Sequence, residues 1–156
     1  MLHVILYQPE IPPNTGNVIR LCANSGASLH LVHPLGFDLD ERKMRRAGLD
    51  YHEYADVTEH QSLDDCLQAV SPANIYALST RGRQRYDKVQ FAAGDALIFG
   101  PETRGLPQTF LDTLEARQVL RLPMRPANRS LNLANTVAIV VYEAWRQLNF
   151  DGAQDP

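Results

Sequence analysis

Three stretches of the sequence set groups capable of chemistry beside residues that bend the chain. "GPETRGLP", Gly100 to Pro107, holds a carboxylate, a hydroxyl and a guanidinium (Glu102, Thr103, Arg104) between two glycines, directly after the apolar run Leu97-Ile98-Phe99. "NTGNVIR", Asn14 to Arg20, spaces Asn17 and Arg20 three apart, so on a helix they project from one side. "RLPMRPANRSLN", Arg121 to Asn132, joins an apolar segment to a long periodic one. Each has a plain structural reading: Asn14 as a helix cap, Gly100 as a turn, Ser130 as the N-cap of the last helix. Taken together they read differently. Loops leaving the carboxyl ends of strands in an open parallel sheet converge on one crevice, where ligands bind. The loops after residues 80, 99 and 122 leave strands in that sense. They offer backbone donors and acceptors, an apolar lining of Leu78, Leu122 and Met124, and few charges. Such a lining suits a neutral heteroaromatic ring with a ribose better than a triphosphate.

Other chemistries lack their residues. There is no GxGxxG after the first strand, and where Gly100 and Gly105 have P-loop spacing, Leu106 and Pro107 replace the lysine and hydroxyl. No GxSxG elbow is present. The histidines His3, His30, His33, His52 and His60 are scattered, and His30 and His33, three apart at a strand end, face opposite ways. No metal site is expected.

The elements that must position these groups follow from the apolar pattern. Strands are expected at 2–7, 28–32, 75–80, 95–99 and 118–123. Helices are expected from Asn14 or Thr15 to a stop at Gly26, over 38–47, over 62–70 with a Ser62 cap, and briefly after Pro107. The longest periodic stretch, 132–148, carries Leu133, Val137, Val140, Val141, Ala144 and Leu148 on one face. Ala134, Ala138 and Trp145 widen that face, which fits either burial within the domain or packing on a partner subunit. Strands alternating with helices predict an α/β fold, a mainly parallel sheet flanked by helices, in a single domain over 1–156.

At 156 residues and 44% hydrophobic content the chain is able to bury a core without staples. Its two cysteines, Cys22 and Cys66, form no CxxC pattern. The segment MLHVILYQPE lacks the basic region of a signal peptide, and no apolar run approaches the ~18 residues of a membrane span. The expectation is a cytoplasmic protein with no membrane partner. Net charge is −3, but it is unevenly spread. Six acids and no Lys or Arg lie between Asp50 and Asp65, and four arginines and no acid between Arg117 and Arg129. With the clusters "ERKMRRAG" and "RGRQRYDK" this predicts one acidic and one basic face.

In combination, "NTGNVIRLCANSG", "LIFGPETRGLP" and "RSLNLANTVAIVVYEAW" resemble the signature motifs of the SPOUT RNA 2′-O-methyltransferases, over essentially residues 1–150. The short length and "RRAGLDYHEY" are similar to the branch that methylates the wobble nucleotide, C or U, of leucine tRNAs. The resemblance implies a SPOUT fold with a trefoil knot in the C-terminal third, a homodimer, tRNA as partner and S-adenosylmethionine as donor, with S-adenosylhomocysteine as product. It implies cofactor contacts from Leu78, Thr80, Gly100, Glu102, Gly105, Leu122, Met124, Ser130 and Leu131. Gly100 and Gly105 would be required because a Cβ would intrude on the cofactor, and Glu102 would orient Asn or Arg groups. Arg20, Asn17 and Ser130 take the catalytic places, with Asn17, Ser130 and Asn132 holding the ribose. Arg20, Tyr142, Arg42, Arg45 and Arg83 are the expected RNA contacts. The family role of Arg20 is that of a base, yet a guanidinium stays protonated to above about pH 12 and has no lone pair. A clamp on the adjacent phosphate that stabilises developing alkoxide suits its chemistry better. Two alternatives stand beside this reading: a non-catalytic RNA- or nucleotide-binding module of the same fold, and methylation of another RNA site. The intact "NTGN" and "RSLN" segments count against the first, and the absence of an RNA-binding extension against the second.

Overall fold

The computed structural model describes residues 1–46, 48–50 and 56–154. Its strands are β1 (His3–Tyr7), β2 (Ser28–Val32), β3 (Val57–His60), β4 (Ile75–Leu78), β5 (Gln84–Arg85), β6 (Ala96–Phe99) and β7 (Val119–Arg121). Its helices are α1 (Pro12–Ser25), α2 (Glu41–Arg46), α3 (Leu63–Val70), α4 (Gln108–Leu111) and α5 (Leu133–Gln147). All strand pairs are parallel, in one sheet ordered β3-β2-β1-β6-β4-β7-β5. Register places Val4 beside Leu29 and Leu97, and Ala77 beside Ile98.

Both faces of the central strands are covered, which is why β6 reads as an unbroken apolar run. On one face Val4, Leu6, Leu29, Leu97, Phe99 and Leu120 pack with Val18 and Ile19 of α1 and with Val137, Val140, Val141 and Ala144 of α5. On the other, Ile5, Val32, Ala77 and Ile98 meet Cys66 of α3 and Leu106 and Leu111 at α4. Helices α1 and α5 touch each other on the first face. The apolar stripe of α1 runs through Val18, Ile19 and Cys22, and Gly26 closes the helix at φ 72°, in the left-handed region that glycine tolerates.

The expected α/β class and mainly parallel sheet are present, with differences at element ends. Helix α1 starts at Pro12, not at Asn14 or Thr15, because two prolines fit its first turn and a side chain distant in sequence caps it. Helix α5 is capped by Asn132, whose side chain accepts from Asn135 N, and not by Ser130. Ser62 does cap α3. Strands β3 and β5 were not expected. They are the two edges of the sheet, and short polar edge segments such as "VTEH" carry almost no apolar alternation. His52, Glu53 and most of "LDYHEY" lie outside the described residues, as does the last residue of the helix expected at 38–47.

Candidate active site

The carboxyl ends of β4, β6 and β7 release three loops that enclose a cavity of about 530 Å³, within the usual range for small-ligand sites. Leu78 and Thr80 line it from the first loop, Gly100, Glu102 and Gly105 from the second, Leu122 and Met124 from the third. Ser130 and Leu131 close it from the segment before α5. The nine residues expected to hold a cofactor therefore share one wall. Asn14, Phe99, Arg121, Asn132 and Thr136 line it too.

A chain of polar contacts fastens the three motifs together. The Glu102 carboxylate accepts from Glu10 N at 2.8 Å, Ile11 N at 3.1 Å and Asn14 Nδ2 at 3.2 Å. It thus supplies the cap that α1 lacks locally, with negative charge at the positive end of the helix. Asn14 Oδ1 in turn accepts from Asn132 Nδ2 at 2.9 Å. Glu102 orients an asparagine, as expected of it. Asn132 is engaged at both ends of its amide, to Asn14 and to Asn135 N, so it ties α5 to α1 at the edge of the cavity. Glu10 returns the contact: its carboxylate accepts from Thr103 N at 3.0 Å and Thr103 Oγ1 at 2.7 Å. Those two hydrogen bonds hold the Glu10 carboxyl below its ordinary range. Arg104 donates to Gln8 Oε1, and Arg81 to Leu106 O and Gln108 Oε1, so both guanidinium groups brace the loop.

The loop glycines have reasons that differ from the expected one. A Cβ on Gly100 would lie 2.3 Å from Leu106 N and 2.5 Å from Gly105 C, so the loop's own backbone excludes it. A Cβ on Gly105 would meet only Arg81 Nη2 at 3.9 Å. What Gly105 supplies is φ 66°. Gly82 resembles Gly100, its missing Cβ falling 2.7 Å from the backbone of Leu120.

Asn17 and Arg20 are exposed and lie outside the cavity lining of the same chain. Arg20 donates to the Gly48 carbonyl. Tyr142 is 45% exposed on α5 and stands edge-on to Trp145 at 5.5 Å. Arg42 and Arg45 are exposed on α2, and Arg83 on the loop after β4. The 81–88 cluster is partly neutralised, because Asp87 accepts from Arg85 at 2.9 and 2.8 Å. Three of the histidines that are scattered in sequence meet in space. His30 Nε2 lies 3.2 Å from His3 Nδ1, and His30 Nδ1 lies 3.0 Å from His60 Nε2. His33, as expected, is not paired with His30 and meets Glu59 at 2.5 Å. Parallel register with a two-residue offset produces this histidine row, and no local spacing announces it.

The arrangement has well-defined relatives. The SpoU rRNA Methylase family model matches residues 1–142. A tRNA (cytidine(34)-2'-O)-methyltransferase of Aeromonas hydrophila is 57% identical over 153 residues, 98% of each chain. A solved structure described as giving insights into the 2-OH methylation of C/U34 on tRNA superposes with a TM-score of 0.86, at 46% identity, covering 96% of this chain and 97% of that one. An AdoMet-bound rRNA methyltransferase of Sinorhizobium meliloti aligns at TM-score 0.80 and 26% identity, over 94% of this chain and 56% of that one. Among the described residues no helix is long and apolar enough to cross a membrane. Sheet order, loop cavity and motif ties all agree with the match: the chain belongs to the SpoU rRNA Methylase family.

Proposed function

We propose that the protein transfers a methyl group from S-adenosylmethionine to the ribose 2′-OH of the wobble nucleotide, C or U at position 34, of leucine tRNAs, in the cytoplasm. The position is that in the name of the Aeromonas relative. The observation that carries the reading is the convergence of the three motif loops on one cavity, fastened by the Asn14, Glu102 and Asn132 contacts. The cavity fits the donor on its own chemistry: apolar side chains (Leu78, Leu122, Met124) for a ring, hydroxyls and backbone for a ribose, and no phosphate-binding lysine.

S-adenosylmethionine, when bound, supplies an electrophilic methyl group on a sulfonium. The chain's task is alignment and exclusion of water, which accounts for much of the rate of an in-line displacement. Leu78, Thr80, Gly100, Glu102, Gly105, Leu122, Met124, Ser130 and Leu131 form the donor wall. Arg20 clamps the phosphate beside the target ribose and stabilises the developing alkoxide, the proton leaving to water or phosphate. Asn17 and Ser130 hold the ribose. Because Arg20 and Asn17 stand outside the cavity of their own chain, they serve the cavity of a second copy, in a homodimer. That dimer is supported by the exposed Ile139 and Tyr142 of α5, at 38% and 45%. Arg42, Arg45, Arg83 and Tyr142 extend the RNA surface. The trefoil threading is supported by the close approach of the Gly82 backbone to that of Leu120.

The test is transfer of labelled methyl to total tRNA from a strain lacking the modification, followed by mapping of the product. Label on the 2′-oxygen of nucleotide 34 of leucine tRNA is expected. Label on a base or at another position would refute the reading, and no transfer despite donor binding would favour the non-catalytic alternative.

A further inference from the structure

The face of the sheet opposite α1 and α5 carries a group of side chains that methyl transfer does not use. His30, in the middle of β2, His60, at the end of the edge strand β3, and Cys66, on α3, bring ligand atoms within 4.8 Å of one another. Cys66 is fully buried, His30 is 8% exposed, and His60 is half-buried, which leaves a way in from the sheet edge. Two imidazole nitrogens and one sulfur are the donor set of a thiophilic or borderline metal ion, not of a hard oxygen-seeking one. We propose that His30 Nδ1, His60 Nε2 and Cys66 Sγ form a binding site for a zinc-class divalent cation that ties the edge strand and α3 to the sheet.

Two observations carry this. The first is spacing. Bond lengths of about 2.0–2.1 Å to nitrogen and 2.3 Å to sulfur put tetrahedral donors about 3.3–3.6 Å apart. The two nitrogens are already 3.0 Å apart, so an ion needs them to part slightly and the sulfur to close by about an ångström at most. The second is the outer contact. His30 Nε2 faces His3 Nδ1 at 3.2 Å, so in the tautomer with the proton on Nε2 that N–H has an acceptor and the Nδ1 lone pair is left to the site. Metal-bound histidines are ordinarily held in this way. In the metal-free chain a proton lies between His30 Nδ1 and His60 Nε2. On binding, that proton passes to solvent while His60 takes one up at Nδ1, so the ring stays neutral with Nε2 on the ion. The Cys66 thiol, pushed up to about 11 by burial, gives its proton to solvent, and one proton is released in all.

The experiment uses the full chain, reduced and stripped with a chelator, titrated with Zn²⁺ against a chromophoric competitor and separately with Co²⁺. One ion per chain is expected, with a thiolate-to-Co²⁺ charge-transfer band. Cys66→Ser should abolish that band, and His60→Gln, at the half-exposed edge, should weaken Zn²⁺ binding at least tenfold. Retained S-adenosylmethionine binding, at the far loops, certifies that each variant is folded. If a variant does not fold, the Co²⁺ spectrum of the unaltered chain decides. Substoichiometric binding, a Co²⁺ complex without a thiolate band, or affinity unchanged in both folded variants would overturn the proposal and leave a hydrogen-bonded imidazole row only.

Discussion

Glu102 shows how a single side chain ties distant parts of the sequence together: its carboxylate caps a helix by accepting from Ile11 N, 91 residues earlier in the sequence. Sequence reading found the residue and its orienting role but not its helix, since a cap is visible locally only when it lies next to the turn it serves. The same limit explains the glycines. Both were legible as special, while the reason for each depends on what crosses nearby. Gly100→Ala must drive a methyl into backbone at 2.3 Å, which cannot yield as a side-chain tip would. It is expected to cost at least about 3 kcal/mol and to abolish donor binding. Gly105→Ala, with open space but φ 66°, should cost about 1–2 kcal/mol and keep measurable affinity. Urea unfolding and calorimetric titration with S-adenosylhomocysteine separate the two. Glu10 gives a pH signature. Its carboxyl is held below the ordinary 4.5 by Thr103, so its contribution is full above that value and is lost as pH falls through the lower folded one. Glu10→Gln should therefore lower Tm at pH 7, and the gap to the unaltered chain should narrow on acidification below 4.5.

At the scale of elements, the buried strands and the long helix were readable because apolar period and burial coincide. Ala96–Phe99 is buried at every position and reads as an unbroken run, and Val137, Val140, Val141 and Ala144 turn inward as their spacing predicts. The edge strands were not readable, because β3 and β5 are set by pairing with neighbours and not by their own composition. The α5 face divides into two surfaces. Ala134 and the valines are buried in the chain itself, while Ile139 and Tyr142 are exposed, and in the proposed homodimer they would meet the second copy. Ile139→Lys should leave the helix folded and shift the protein from dimer to monomer in sedimentation velocity. A dimer of unchanged strength would place the interface elsewhere.

For the whole molecule, the sequence foretold that separated loops meet. Its expectation that one subunit's first helix faces the partner's pocket underlies the composite surface proposed above, since Asn17 and Arg20 stand outside the cavity of their own chain. Binding of tRNA through exposed arginines on such a composite surface should weaken at least tenfold between about 50 and 200 mM salt, as read by filter binding. Salt-independent binding would remove the phosphate contacts from the account. The most direct trial is a mixed dimer, co-expressed with two tags and purified through both: one chain carrying Arg20→Ala, the other Met124→Glu in the donor wall. Each variant alone should be inactive. The mixed dimer retains one intact cavity facing one intact Arg20, so it should methylate tRNA at about half the unaltered rate. A mixed dimer as inactive as its parents would mean that Arg20 works within its own chain, and the shared site would fall.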